Sequence, residues 1–126
     1  MPTLSRRLAD RDLRFDLAEE AFRLRRLPGL DRDGRTARTL VKDGPMRVTL
    51  IALTPGSTIP PHHAAGPVTI QPVWGRMTVR VEDEDRVLEV GDLLALGAEV
   101  EHAVTTPTGV VFALTVVRVG NPDEAR

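Results

Sequence analysis

The sequence predicts a mainly β domain, an antiparallel sandwich or closed barrel, preceded by an amphipathic helix. Three features of the chain point that way. From residue 36 onward, short runs rich in Val, Thr, Ile and Leu alternate with turns built on Gly, Pro and Asp. No stretch of that region has the three- and four-residue apolar spacing of a helix, so the strands have no crossover helices to make them parallel. That helical spacing is confined to the residues before Pro28. At 126 residues the chain is the size of one domain, and folding would bury roughly two thirds of its accessible surface.

The elements follow in order. In "DLRFDLAEEAFRLRRLPG", Leu13, Leu17, Ala21 and Leu24 recur on one face with Ala18 and Phe22 beside them, which predicts a helix over 12–26. Acids cluster towards its start and Arg23, Arg25 and Arg26 lie in its last turn, as the helix dipole favours; Pro28-Gly29 then stops the pattern. Such a helix is expected to pack on its own domain, the alternative being an arm that docks on another subunit. Strands are predicted at 36–41, 47–53, 69–74, 77–81, 86–90, 93–96, 103–106 and 110–118. The breaks carry turn chemistry: Gly44-Pro45, Pro55-Gly56, Gly66-Pro67, the acidic run "EDED", Gly91-Asp92 and residues 107–109. The organisation read from these elements is a helical arm over 1–34, a barrel over 35–119 and a frayed tail over 120–126.

Composition narrows the function. The longest apolar run, 110–117, is far too short to cross a bilayer, and "MPTLSRRLADRDLRFD" has no apolar core followed by a cleavage site, so a cytoplasmic protein with no membrane partner is expected. Cysteine is absent, which excludes disulfides, thiolate chemistry and sulfur-ligated metals. A formal charge of -1, a pI near 6.3, one Trp, three Phe and no Tyr offer neither attraction for a phosphate backbone nor a stacking platform, and no helix-turn-helix pattern is present; no nucleic-acid partner is expected.

Chemistry concentrates in two segments. "PGSTIPPHHAAGPVTIQPVWGRM" and "GDLLALGAEVEHAV" between them hold all three histidines, His62, His63 and His102. Both segments resemble the two motifs of small single-domain cupins, over roughly residues 36–118. The first motif of that family places a His-x-His pair and a glutamate between two glycines; here Gly56 and Gly75 fit the ends and His62 the first histidine. The second runs from a glycine to a histidine and on to an asparagine; Gly91 fits the start and His102 the histidine. The resemblance implies a cupin double-stranded β-helix, a jelly-roll barrel. In complete cupins it also implies a divalent transition metal such as Zn, Mn, Fe or Ni on three histidines and a glutamate.

This chain departs from that ligand set. Ala64 stands at the second histidine position and Val68 at the glutamate position, with Gly97 for proline, Glu99 for glycine and Thr106 for asparagine in the second motif. Strand parity gives His62 and Ala64 one face and His63 the other, and it pairs His102 with Val100 while Glu99 and Glu101 face away. Gln71 interrupts an apolar run and could hydrogen-bond a ligand or coordinate an ion through its amide oxygen. Trp74 and Met77 flank Gly75 as pocket wall or core. Asp92 reads as a turn residue, Glu82 to Asp85 as a solvated hairpin tip, and Pro60-Pro61 as a stiff approach to His62.

Three functions compete. The first is a small-molecule-binding cupin, with His62, Gln71 and His102 as polar contacts and Trp74 and Met77 as walls. In it a divalent metal is at most weakly held by His62 and His102, with His63 a poorer donor because it faces away. The second is a metal-dependent cupin enzyme, a dioxygenase, isomerase or lyase on a small oxygenated substrate, with His102 or His63 moving protons. The third is a non-enzymatic partner-binding module that uses the 12–26 helix. A homodimer is the expectation that the resemblance carries.

Overall fold

The computed structural model describes residues 7–118; the tail assigned to 120–126 lies outside them. Two helices come first, α1 (Leu17–Leu24) and α2 (Pro28–Asp33). Helix α1 starts later than the apolar spacing suggests because Asp16 caps it, its side chain accepting a hydrogen bond from the Glu19 amide at 3.1 Å. Pro28 ends one helix and opens the next: at the first helical position its missing N–H is no loss. Gly34, with φ of 80°, closes α2 and turns the chain into the sheet.

Eight strands follow: β1 (Arg35–Asp43), β2 (Met46–Leu53), β3 (Thr58–His62), β4 (Val68–Val81), β5 (Glu84–Glu89), β6 (Leu94–Leu96), β7 (His102–Thr105) and β8 (Val110–Val117). All pair antiparallel, in the order β1-β2-β8-β4-β7-β3, with β5 and β6 also on β4. Two corrections to the strand pattern stand out. The runs 69–74 and 77–81 are one strand of 14 residues, β4. And β3, "TIPPH", has no counterpart among the expected strands, because its two prolines cannot donate to a ladder; the strand is tolerated because it lies at the end of the sheet.

Strand β4 is the element shared by both halves of this curled sheet. Its first part pairs with β8 and β6, its second with β5 and β7. The two halves enclose an interior core in which Leu53, Val68, Ile70 and Phe112 from one half meet Met77, Val79, Leu88 and Val104 from the other. A second core lies on the outer face, where Ala21, Leu24 and Leu30 of the helices cover Leu40, Leu50, Ala52, Val111 and Ala113. Ala21 and Leu24 of α1 are therefore buried on their own domain and the helix is not a free arm, while Phe22 stays half-exposed beside them.

The corner of β4 rests on Gly75. Its φ of 81° favours glycine, and a Cβ there would overlap the carbonyl oxygen of Gly109 and come within 3.0 Å of Val110 Cα. A register shift just before it, between Pro72 and Trp74, makes Val73 the extra residue of a β-bulge. Beyond the corner, the Thr106 hydroxyl donates to the Arg76 carbonyl at 2.7 Å from a position 1% exposed, while its backbone bonds to Gly56 and Ser57. Thr106 occupies the position of the motif's asparagine and ties β7 to the corner and to the loop before β3. Glu99 stands where the motif has glycine and adopts the glycine-like conformation, with φ of 62°. The turn at Gly91-Asp92 and the hairpin tip at Glu82 are as the sequence suggests: the Glu89 amide donates to Asp92 at 2.9 Å, and Arg80 pairs with Asp85 at 3.0 Å across the hairpin.

Replacing Gly75 by alanine adds a left-handed strain of roughly 1–2 kcal/mol to an overpacking cost of roughly 1–3 kcal/mol, so Gly75→Ala should destabilise by about 3 kcal/mol. Urea unfolding measures it; a loss below about 1 kcal/mol would contradict the close crossing of β4 over Gly109.

Candidate ligand-binding site

A cavity of about 210 Å³ opens between the two halves of the sheet. Apolar walls come from Ile51, Ile59, Ile70, Val104, Phe112 and Leu114, and its polar groups are Arg35, His62 and His102. Arg35 and His62 are exposed and form its mouth, whereas His102 is buried. His102 arrives on β7 two residues before Val104, so strand alternation puts both on the inner face. His62 is brought in differently. Ile59 pairs with Val104 and His62 with His102, so three steps along β3 match two along β7. Pro60-Pro61 form a bulge, where the ladder is interrupted and a missing N–H costs least, and the bulge returns His62 to the face that Ile59 occupies. Without it, parity would turn His62 away from the cavity.

The two imidazoles lie 4.3 Å apart, centroid to centroid, at 58° to one another. Nδ1 of His62 is 3.0 Å from the Pro60 carbonyl, and Nδ1 of His102 is 3.0 Å from the Val100 carbonyl. A carbonyl only accepts, so each Nδ1 carries the proton. The nitrogen left for a ligand is then Nε2, an acceptor on each neutral ring. His102 is 4% exposed, and burial pushes its pKa below the ordinary value of 6.5. The hydrogen bond to the Val100 carbonyl opposes that shift, and the neighbouring imidazoles of His62 and His63 add to it by disfavouring a further positive charge.

The positions that carry ligands in complete cupins have joined the core. Val68 is 3% exposed within the interior cluster, and Ala64 packs against it. Among the described residues no group of three or more His, Asp or Glu side chains is placed to hold a metal ion. Two imidazoles alone fall short of the three or more protein ligands of a firm transition-metal site, so the donor set does not fit a firmly held ion.

The remaining candidates lie elsewhere. His63 lies just past the end of β3, where strand alternation no longer governs it; it is exposed and does not line the cavity. Gln71 pairs with Ala113 of the outer core, so it lies on the helix-side face of β4, opposite to Ile70 and the cavity. Trp74 would face inward with Ile70 and Pro72 in an unbroken strand, but the bulge at Val73 sets it opposite Val111 instead. There its ring carries the Arg25 guanidinium 3.5 Å from the centroid, a contact to the end of α1. Met77 is fully buried in the interior core opposite Leu88 and is not a wall of the cavity.

Arg35 is the residue that sequence reasoning missed. As the first residue of β1, after a turn, it reads as a plain surface cation; its pairing with Leu53 of the interior core is what directs it to the cavity side of the strand. It also borders a second cavity of about 300 Å³, which shares Ile51 and Ile59 with the first.

No family model matches the chain, and no curated protein matches it. Solved structures do. A conserved protein of unknown function from Streptococcus pyogenes superposes with a TM-score of 0.65 at 22% identity, over 71% of this chain and 79% of that one. A cupin superfamily protein from Desulfitobacterium hafniense gives 0.66 at 14% identity, over 69% of this chain and 80% of the other. An RmlC-like cupin from Shewanella frigidimarina gives 0.64 at 22% identity, over 72% and 81% of the two chains. With its eight antiparallel strands, its shared corner strand and these likenesses, the chain has the fold of a small cupin domain, a double-stranded β-helix with helices packed on its outer face.

Proposed function

We propose that the protein binds a small organic molecule in the cavity between His62 and His102, and that it does so without a firmly held metal ion. The observation that carries this reading is the pair of Nδ1 hydrogen bonds, which leave two Nε2 acceptors at a cavity whose other walls, Arg35 at the mouth apart, are apolar. Apolar walls with a few convergent polar groups are the usual form of a small-molecule site. At about 210 Å³ the space suits a compact ligand. Filling two ligand positions with Val68 and Ala64 fits the same reading, because it trades coordination for apolar surface. Among the described residues no helix is long and apolar enough to cross a membrane.

A thermal-shift screen of small organic molecules tests the proposal. A ligand at a hundred times its Kd should stabilise the protein by about 2.7 kcal/mol. That shift should vanish in Ile59→Trp, whose ring fills the cavity, while the far-UV circular dichroism of the variant stays unchanged. Untagged protein incubated with Mn, Fe, Zn or Ni and then desalted should retain well under about one tenth of an ion per chain. Stoichiometric metal, or ligands that shift Ile59→Trp as much as the parent chain, would overturn the reading.

The burial of His102 predicts a pH dependence. Well above pH 6.5 the folded and unfolded chains both hold this imidazole neutral; below it the unfolded chain takes up a proton that the folded chain refuses until its lower pKa is reached. Stability contributed by neutral His102 is therefore lost as the pH falls from 6.5 through that lower value. The stability difference between the parent chain and His102→Gln should shift against the parent on acidification from neutral pH. A difference that stays constant, or moves the other way, would contradict the burial of a neutral ring.

A further inference from the structure

The lining of the cavity also defines the class of molecule it takes. Arg35 stands at its mouth at the start of β1, opposite Leu53, and no hydrogen bond or ion pair joins its guanidinium to another described residue. The nearest acid in sequence, Asp33, borders an adjoining cavity with Arg35, but its carboxylate is engaged by Arg32 at 3.3 and 3.4 Å. One unpaired cation at the mouth of an apolar cavity calls for one negative charge, and a planar guanidinium matches a carboxylate through two parallel hydrogen bonds.

The histidines call for the opposite kind of group. With both Nδ1 protons held by carbonyls, each Nε2 accepts and so repels a carboxylate oxygen; it needs an O–H or N–H from the ligand. The six apolar walls exclude a sugar-like polyol, whose further hydroxyls would be buried without partners. A phosphate dianion is also a poor fit, since among the described residues a single guanidinium is the only permanent cation lining the cavity.

Resting on the small-molecule reading above, we infer that the ligand is a small hydroxy monocarboxylate: its carboxylate on Arg35, its hydroxyl donating to Nε2 of His62 or His102, and its alkyl or aryl body among the apolar walls.

Calorimetric titration with three matched probes tests this: 2-hydroxyisocaproate, its primary amide, and 4-methylpentanoate, which lacks the hydroxyl. The parent chain should bind the hydroxy acid about tenfold or more tightly than either analogue. Arg35→Gln should remove the preference for acid over amide, so that the two bind within about twofold of each other. A His62→Phe, His102→Phe double variant, checked for folding by circular dichroism, should remove the preference for the hydroxyl, so that 2-hydroxyisocaproate and 4-methylpentanoate bind equally. Equal binding of acid and amide by the parent chain, or undiminished acid binding by Arg35→Gln, would overturn the inference while leaving the cavity a binding site. Failure of all three probes to bind would overturn it as well; hits in the thermal-shift screen that Ile59→Trp abolishes would then show that the broader reading survives.

Discussion

The close approach of β4 to the backbone at Gly109 is the constraint on which the rest of the structure depends. Both halves of the sheet hang on β4, and it can serve both because Gly75 has no side chain at the corner. The neighbouring contacts reinforce that corner. Thr106 holds the Arg76 carbonyl immediately after it, and its own backbone anchors Gly56 and Ser57 at the entry to β3. Buried hydrogen bonds of this kind stabilise chiefly because leaving either partner unpaired is costly, so the corner also fixes where β3 begins and β7 ends. The cavity is the space left between halves that are joined there and packed on Ile70, Val104 and Phe112.

Two bulges then decide which side chains reach that space. Each adds one residue to a strand and so reverses the faces beyond it. At Val73 the effect is to send Trp74 out to Arg25 and the helix; at Pro60-Pro61 it is to bring His62 in to His102. The histidine pair is thus assembled from a regular strand and an irregular one. Proline suits the irregular one because a residue without an N–H loses least where the ladder is already broken. The prolines that the sequence presents as a stiff approach to His62 act as the device that aims it.

What can be read in the sequence follows the range of the interactions that determine it. The fold class, the turns, the helix-dipole charges and the spacing of Gly56, His62, Gly75, Gly91 and His102 depend on neighbours in the chain, and they are legible. Strand parity alone does not place His62: the reason it faces the cavity lies in the bulge before it, and His63 falls past the end of the strand. The unity of β4 is hidden because Gly75 interrupts an apolar run in the manner of a turn. The placements of Gln71, Trp74 and Arg35 depend on register against β8 and β2, and no local pattern carries that information. Gln71 draws attention for being polar in an apolar strand, yet this strand is covered on both faces, by the interior core and by the helices.

The chemistry rests on one detail of hydrogen bonding. Two carbonyls, from Pro60 and Val100, fix the same tautomer on both rings and leave two acceptor nitrogens where complete cupins would gather four ligands for an ion. Burial favours the neutral form of His102, and Val68 and Ala64 keep the surroundings apolar. A site of this kind selects by hydrogen-bond polarity and shape. Long-range proton–nitrogen NMR of the ligand-free protein at mildly alkaline pH tests this most directly, because it reports which nitrogen of each imidazole is bare. Protonated Nδ1 and bare Nε2 are predicted on both His62 and His102; a ring with its proton on Nε2 would contradict the proposed polarity of the site.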